Sequence, residues 1–486
     1  MFHVQCLTFI CSLMMQAQQA ISLAGMWAFE DGYVTLPGSL LTNAKGAPVS
    51  VNTQWTGSLY DSSFYFNPYM ERYRKEGQMK FPFFLTPERH YVGAALYRRS
   101  VIVPKTWKSQ PITLFLERPH IETTLYINNV EVGHQTSLST PHRYDVTKHI
   151  RAGEPNDIAI RVYNGIENVC VGQDSHSVTD QTQGNWNGIV GRMELQAAPP
   201  IWRKRVVPHW DNHSVDVLIN DTTIHIDLGD DWQPWDEFNP HLYTRTITYR
   251  GVEVPITFGL RNISIEGRQF FMNGRKLFLR GTVENCCFPL TGYPPTNEEE
   301  WLRIFRKCKE YGLNHVRFHS YCPPEAAFAA ADRVGIYLQP EGPSWPNHGV
   351  KLRRGMKIDQ YLLEESKRIV DEYGHHPSFV MMAAGNEPAG DWVAYCNDWV
   401  REMKEYDPTK VYCGASVGGG WAWDGGSEYH VKGGARGLDE WNRRAPSSDD
   451  DYYSGIEYPR NYSPSTLNPP LSTLNSPPQH LSHRCP

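Results

Sequence analysis

The chain has 486 residues, 40% of them apolar and 21% charged, the proportions of an ordinary globular protein with room for two to four domains. A net charge of −6, with no long Lys/Arg block, argues against a nucleic-acid partner. The one sustained apolar run, residues 6–15, is too short to cross a bilayer, so no membrane span is expected.

That run comes first in chain order. With the small residues at 17–20 behind it, residues 1–20 read as a secretory signal peptide, although no Lys or Arg precedes the run. The expected location is therefore secreted or periplasmic. Eight cysteines follow this segment, and none forms a C-x-x-C pair, which speaks against a structural zinc site. Their scatter fits single buried thiols better than a disulfide framework.

In residues 22–198, Ile112, Leu114 and Leu116 alternate with polar or small neighbours, as do Leu125 and Ile127, and Ile158, Ile160 and Val162. Alternation at period two, broken by Gly, Pro and Asn, marks half-buried antiparallel strands, and many such strands make a β-sandwich. Asn128-Asn129 suits a tight hairpin, because Asn tolerates the positive φ that such turns need. The sandwich is expected to end at Pro199-Pro200. Residues 201–260 are also β-like, but a free-standing immunoglobulin-type sandwich takes about 100 residues. This second module is either incomplete or leans on its neighbours.

Residues 261–451 change character. Helical spacing appears at Trp301, Phe305, Cys308 and Tyr311, at Leu362, Ile369 and Tyr373, and at Trp392, Cys396, Trp399 and Met403. Between them lie short apolar runs: KLFLRG, NHVRFHS, IYLQPE, FVMMAAGNEP and VYCGAS. Strand and helix alternate about five times, the pattern of a parallel βα architecture. Pro323-Pro324 suits a helix start and Gly335 a helix end. The predicted strand ends carry Arg280, Arg317, His319, Glu341, Asn386 and Glu387. Taken singly, the arginines read as salt-bridge partners, His319 as a core histidine and Asn386-Glu387-Pro388 as a turn. Taken together they favour a site, because side chains at successive strand ends of a barrel converge on one pocket. A carboxyl half out of water there keeps its proton to higher pH and can donate it near neutrality.

Three stretches, FGLRNISIEGRQFFMNGRKLFLRGT, NHVRFHSYCPPEAAFAAADRVGIYLQPE and HHPSFVMMAAGNEP, resemble glycoside hydrolase family 2, the β-galactosidase, β-glucuronidase and β-mannosidase family. SLAGMWAFE, LYRRSVIVPKTW, LYINNVEVG and GNWNGIVGRMEL look like its N-terminal domain, and WDEFNPHLYTRTI like the end of its immunoglobulin-like domain. The resemblance implies a multidomain β plus α/β fold. A sugar-binding jelly-roll β-sandwich takes residues 22–198, a shortened immunoglobulin-like β-sandwich 201–260, and an incomplete (β/α)8 TIM barrel 261–451. Residues 452–486, rich in Pro and Ser, form an irregular tail.

The same resemblance implies retaining hydrolysis of terminal β-linked sugars, of β-galactosidase or β-glucuronidase type, by two carboxyl groups about 5 Å apart. Glu387 matches the acid/base, Asn386 the residue that holds the sugar 2-hydroxyl, and Arg317 an arginine that supports the catalytic carboxylates. His319 and Glu341 are carried as pocket-lining candidates. The partner is the end of a β-linked oligosaccharide or polysaccharide. The chemistry needs no cofactor, and no ligand cluster in the sequence justifies a metal. The chain departs from the family where the nucleophilic Glu of a seventh strand is due. Glu440 comes too early and Glu457 lies in loop-like sequence, so a truncated, weakly active chain is expected. The alternative is an inactive fragment or a carbohydrate-binding protein.

Overall fold

The structure, a computed structural model, describes residues 16–17, 19–49, 53–56, 88–179, 185–288, 290–346, 349–418, 425–429 and 431–433. Most of the expected signal peptide, Glu440, Glu457, Cys485 and the tail over 452–486 lie outside the described residues.

The first domain is a two-sheet sandwich. One sheet runs Val130–Gln135, Glu122–Ile127, Pro155–Tyr163, Ala94–Ile102, Gly25–Phe29 and Gly32–Leu36. The other runs His142–Asp145, Thr113–His120, Gly188–Gln196 and Ala20–Ser22, with Gly38–Ser39 also paired to Gly188–Gln196. The alternating apolar residues predicted from sequence all turn inward: Ile112, Leu114, Leu116, Leu125, Ile127, Ile158, Ile160 and Val162 share one core with Trp27 and Tyr97. Asn128 and Asn129 make the hairpin turn at φ +51° and +66°, the left-handed region in which Asn is tolerated.

The second module folds around its own small core of Val215, Val217, Ile247, Ile256 and Phe258. Strands Lys204–His209, Ser214–Ile219 and Thr222–Asp227 form one antiparallel sheet. Strands Tyr243–Tyr249 and Val252–Phe258 pair antiparallel, and Gln16–Ala17 adds to the latter in parallel. So few strands bury little apolar area, and the module is braced from outside. Its first strand and the residue before it carry a row of cations into acidic groups of the barrel layer. Lys204 Nζ lies 3.2 Å from Glu325, Arg203 Nε 3.0 Å from Asp371, and Arg205 Nη2 3.4 Å from Asp407. Arg192 of the first domain reaches the other Glu325 oxygen at 3.1 Å.

This junction predicts an acid limb. Lys204 beside Glu325, against an opposing effect of burial and with help from His376 and Arg192, holds that carboxyl down to about 2 from an ordinary 4.5. A folded pKa below the unfolded one stabilises fully above about pH 4.5, and the contribution is lost as pH falls through about 2. Glu325→Gln is therefore expected to flatten the loss of stability between those values, read from unfolding midpoints taken from pH 5 to pH 2. A variant with the wild-type acid limb contradicts this.

The third domain alternates β1 (Gly281–Glu284), α1 (Glu298–Glu310), β2 (His315–Phe318), α2 (Glu325–Val334), β3 (Tyr337–Gln339), α3 (Ile358–Tyr373), β4 (Met381–Ala383), α4 (Trp392–Tyr406) and β5 (Val411–Cys413). β1, β2 and β3 pair in parallel, as do β4 and β5, and single parallel bridges at Leu338–Phe379 and Glu341–Ala383 join β3 to β4. Ser416–Gly418 and Val431–Gly433 form a further parallel pair. β2 to β5 are buried at every position, as strands covered on both faces are, whereas β1 is partly exposed. Tyr337, Met381, Ala383, Val411 and Cys413 fill the interior, while Val316, Phe318, Leu338, Met382 and Tyr412 pack against the helices. The hairpin strands Gln269–Met272 and Arg275–Leu277 send Phe270, Met272 and Leu277 into the interior cluster. The fold class is thus as the sequence implied: a β-sandwich, a small second β-module and parallel barrel strands with helices outside. Of the seven described cysteines, five are buried. Among the described residues no helix is long and apolar enough to cross a membrane.

Candidate active site

The polar residues gather where β2 to β5 end. Arg317 lies in β2 and points into the barrel, where the residue is only 6% exposed. Its Nε donates to Glu341 Oε1 at 2.6 Å and its Nη2 to Glu341 Oε2 at 3.2 Å, a bidentate grip. The same Nη2 donates to Asn386 Oδ1 at 2.7 Å. Glu341 also accepts the Ser320 backbone N–H at 2.7 Å and the Ser416 hydroxyl at 3.2 Å. Both oxygens are therefore committed, and the residue has no exposed surface. The expectation that Glu341 lines the pocket gives way to a buried anchor that fixes Arg317.

Two glycines let the strand ends close up this far. A Cβ on Gly342 would lie 2.3 Å from the Ala384 carbonyl oxygen, and one on Gly385 2.3 Å from that of Ser344, so neither tolerates a side chain. Asn386 then donates its backbone N–H to Ser344 O at 2.9 Å, and Glu387 its own to Ser416 O at 2.8 Å. Glu387 sits at φ +38°. A non-glycine residue there is strained, and such strain clusters where a side chain must be aimed. The half-buried carboxyl of Glu387 accepts the Trp345 indole N–H at 2.9 Å. The site thus has an aimed carboxyl beside an amide whose oxygen is already claimed by Arg317.

A wall of rings stands next to it. The His319 ring lies 4.8 Å from that of Trp345, and His176, from the first domain, lies 4.4 Å from His319 and 5.3 Å from Trp345. His176 Nδ1 and the His319 carbonyl oxygen lie 3.1 Å apart, and Ser175 and Ser177 hydroxyls both donate to Ser320 O at 3.0 Å, so a loop of the sandwich is tied to the barrel rim. Burial, reinforced by Arg317, pushes His319 down to about 2, and burial brings His176 to about 4, so both rings stay neutral. Neither ring therefore brings a charge to this cluster.

Arg280 is a correction. It precedes β1, donates from Nε to Gly312 O at 2.6 Å and pairs with Glu237 at 2.9 Å, at the opposite end of the strands. The run KLFLRG misled because its first half belongs to the hairpin sheet and parallel pairing starts only at Gly281. β1 ends instead on Glu284, whose carboxyl burial pushes up to about 7 in spite of backbone N–H groups of Cys286, Cys287 and Asn285. Glu284 pairs with Phe318 and Val283 with Arg317, so Glu284 shares the outer face with Phe318, away from the Arg317 network. Sequence reasoning also missed Trp345, His176 and Ser416. A lone Trp in the Gly/Pro-rich segment after β3 was the only available signal.

The indole contact gives a prediction. A hydrogen bond to a charged group is worth about 1.5–3 kcal/mol, so Trp345→Phe is expected to lower kcat by about 10- to 100-fold with little change in KM. Unchanged kcat would show that the indole does not hold the carboxyl in place.

Comparison with known proteins follows the same outline. The sugar binding domain of glycosyl hydrolases family 2 matches residues 21–199, and the TIM barrel domain of that family matches residues 263–419. The chain belongs to glycoside hydrolase family 2. It is similar to a β-galactosidase of Arthrobacter sp. (strain B7), 24% identical over 60% of this chain and 31% of the relative. It is also similar to a putative β-glucuronidase of Formosa agariphila, 20% identical over 66% of this chain and 34% of the relative. The chain spans about a third of the length of these two relatives. In fold it resembles a β-D-glucuronidase structure from Dictyoglomus thermophilum, with a TM-score of 0.63 at 16% identity over 86% of this chain and 76% of the other. A β-glucuronidase structure from Ruminococcus gnavus gives 0.64 at 15% identity over 89% and 78%.

Proposed function

We propose that the chain carries the proton-donating half of a retaining exo-glycosidase acting on terminal β-linked sugars, of galactoside or glucuronide type. Glu387 is the general acid/base in this reading. The observation that carries it is the aimed carboxyl of Glu387, hydrogen-bonded by Trp345 next to an Asn386 that Arg317 holds by its oxygen. That hold leaves the Asn386 amide hydrogens to donate to a sugar hydroxyl, a contact that strengthens as the ring flattens toward an oxocarbenium ion. His319 and Trp345, with His176 packed against them, supply ring faces for the C–H face of the sugar. The relatives' names, β-galactosidase and β-glucuronidase, support the substrate class.

Retention needs a second carboxyl about 5 Å from the first. Glu341 is spent on Arg317, Ser320 and Ser416 and is fully enclosed, so it does not attack an anomeric carbon. We infer that, among the described residues, the groups around Glu387 supply no strong nucleophile, which also keeps open a carbohydrate-binding role. The test is hydrolysis of aryl β-D-galactosides and β-D-glucuronides with and without sodium azide. Slow turnover that azide accelerates, giving the α-glycosyl azide, is expected, because azide stands in for the attacking carboxylate. Turnover equal to that of a full-length family member, without azide, contradicts the weak nucleophile. Absence of turnover under both conditions contradicts the enzymatic reading.

A further inference from the structure

We propose that His209, Asp216 and His225, on the outer face of the second module, form a binding site for a zinc-class divalent cation. The three residues come from three neighbouring strands, Lys204–His209, Ser214–Ile219 and Thr222–Asp227. Asp216 lies opposite Val207 on one side and His225 on the other, and His209 is two residues beyond Val207. Side chains two apart on a strand share a face, so all three project from the same side of the sheet. That side faces away from the core of Val215, Val217 and Ile219.

The distances fit one small ion. His209 Nε2 lies 2.8 Å from Asp216 Oδ2, and His225 Nδ1 lies 2.7 Å from Asp216 Oδ1. The ligand atoms of the three residues all lie within 4.8 Å of one another. Zn–N and Zn–O bonds of about 2.0–2.1 Å put tetrahedral ligand atoms roughly 3.3 Å apart, so the two hydrogen-bonded pairs would open by about half an ångström and any pair at the 4.8 Å limit would close by up to about 1.5 Å around an ion. The side chains have that freedom, since His225 is 60% exposed and His209 37%. Two imidazoles with one carboxylate favour zinc, nickel or copper over magnesium or calcium, which prefer all-oxygen sets. Asp216 is paired with these two histidines and with no Lys or Arg among the described residues, so its charge is available to a cation.

A second cluster, Glu325 with His375 and His376, shows the contrast. There Lys204 and Arg192 already hold the two carboxylate oxygens, and their charges oppose a metal. The His209 site has a physical use as well. It would clip three strands of a module whose own core is small, the situation in which small domains employ a metal staple.

The test uses the full chain, stripped with EDTA and desalted, and titrated with ZnCl2 by calorimetry in a millimolar MgCl2 background. One equivalent of zinc is expected to bind at this site, to raise the melting temperature and to resist displacement by magnesium. Asp216→Asn, His209→Ala and His225→Ala are each expected to weaken that equivalent by at least about tenfold, since even outer-shell partners are worth 10–100-fold. His241→Ala is the control and is expected to bind as wild type. On the wild-type chain, zinc is expected to protect His209 and His225 from diethylpyrocarbonate, read by peptide mass spectrometry, which does not depend on any variant folding. Titrations of wild type and His209→Ala/His225→Ala that superimpose overturn the site, as does equal labelling of both histidines with and without zinc.

Discussion

Glu387→Gln is expected to cut kcat/KM for unsubstituted phenyl β-glycosides, whose leaving group needs a proton, by about 10²–10⁴-fold, with or without azide, while the affinity for a non-hydrolysed sugar lactone or lactam stays close to wild type. Positioned proton transfer contributes about that much, and the amide keeps the size and the Trp345 contact of the carboxyl while losing its proton. The split matters more than the size. A residue that only shaped the pocket would lose binding and rate together, whereas an interaction made only in the transition state lowers kcat and spares affinity. Equal losses in both would reassign Glu387 to binding, and loss of neither would remove it from the site.

The second large effect concerns the buried pair beneath it. Arg317→Met is expected to destabilise the barrel by about 3–5 kcal/mol, because Glu341 would then be an uncompensated charge with no exposed surface. Its remaining partners are the Ser320 N–H and the Ser416 hydroxyl. Glu341→Gln in the same chain is expected to recover much of that loss, since it removes the stranded charge rather than replacing the ion pair. Chemical denaturation of the four chains of this cycle checks it. A cost below about 1 kcal/mol for Arg317→Met would mean that solvent reaches Glu341. Activity is expected to fall in both Arg317 variants, because Asn386 loses the donor that orients its amide.

The contrast between what the sequence disclosed and what it hid follows from chain distance. Period-two alternation located Leu114, Ile127 and Ile160 inside the sandwich, and helical spacing located Trp301, Phe305, Trp399 and Met403 in the barrel layer, because those signals are local. Tyr311 was placed on the same apolar stripe and is 79% exposed, since α1 stops at Glu310 and the stripe ends with it. Asn386, Glu387, Arg317 and Glu341 could be named from strand ends, yet nothing local in the chain measures which of them face water. Glu341 and Arg317 turned out to neutralise each other below the site, and that depends on a bridge between β3 and β4. His176 was out of reach altogether. It lies 143 positions from His319, on another domain, and nothing periodic connects the two. The His209, Asp216 and His225 cluster was hidden for a related reason, since its spacing of seven and nine residues means nothing until strand register brings the three side chains together.

The central claim, that Glu387 gives a proton to the departing oxygen, is tested most directly by a leaving-group series. Wild type and Glu387→Gln would be compared on aryl β-glycosides ranging from 2,4-dinitrophenyl, whose anion departs unaided, to unsubstituted phenyl, whose anion does not. The expected result is a variant close to wild type on the dinitrophenyl substrate and progressively slower as the leaving group becomes more basic. A variant slowed by the same factor on every substrate would contradict proton donation by Glu387.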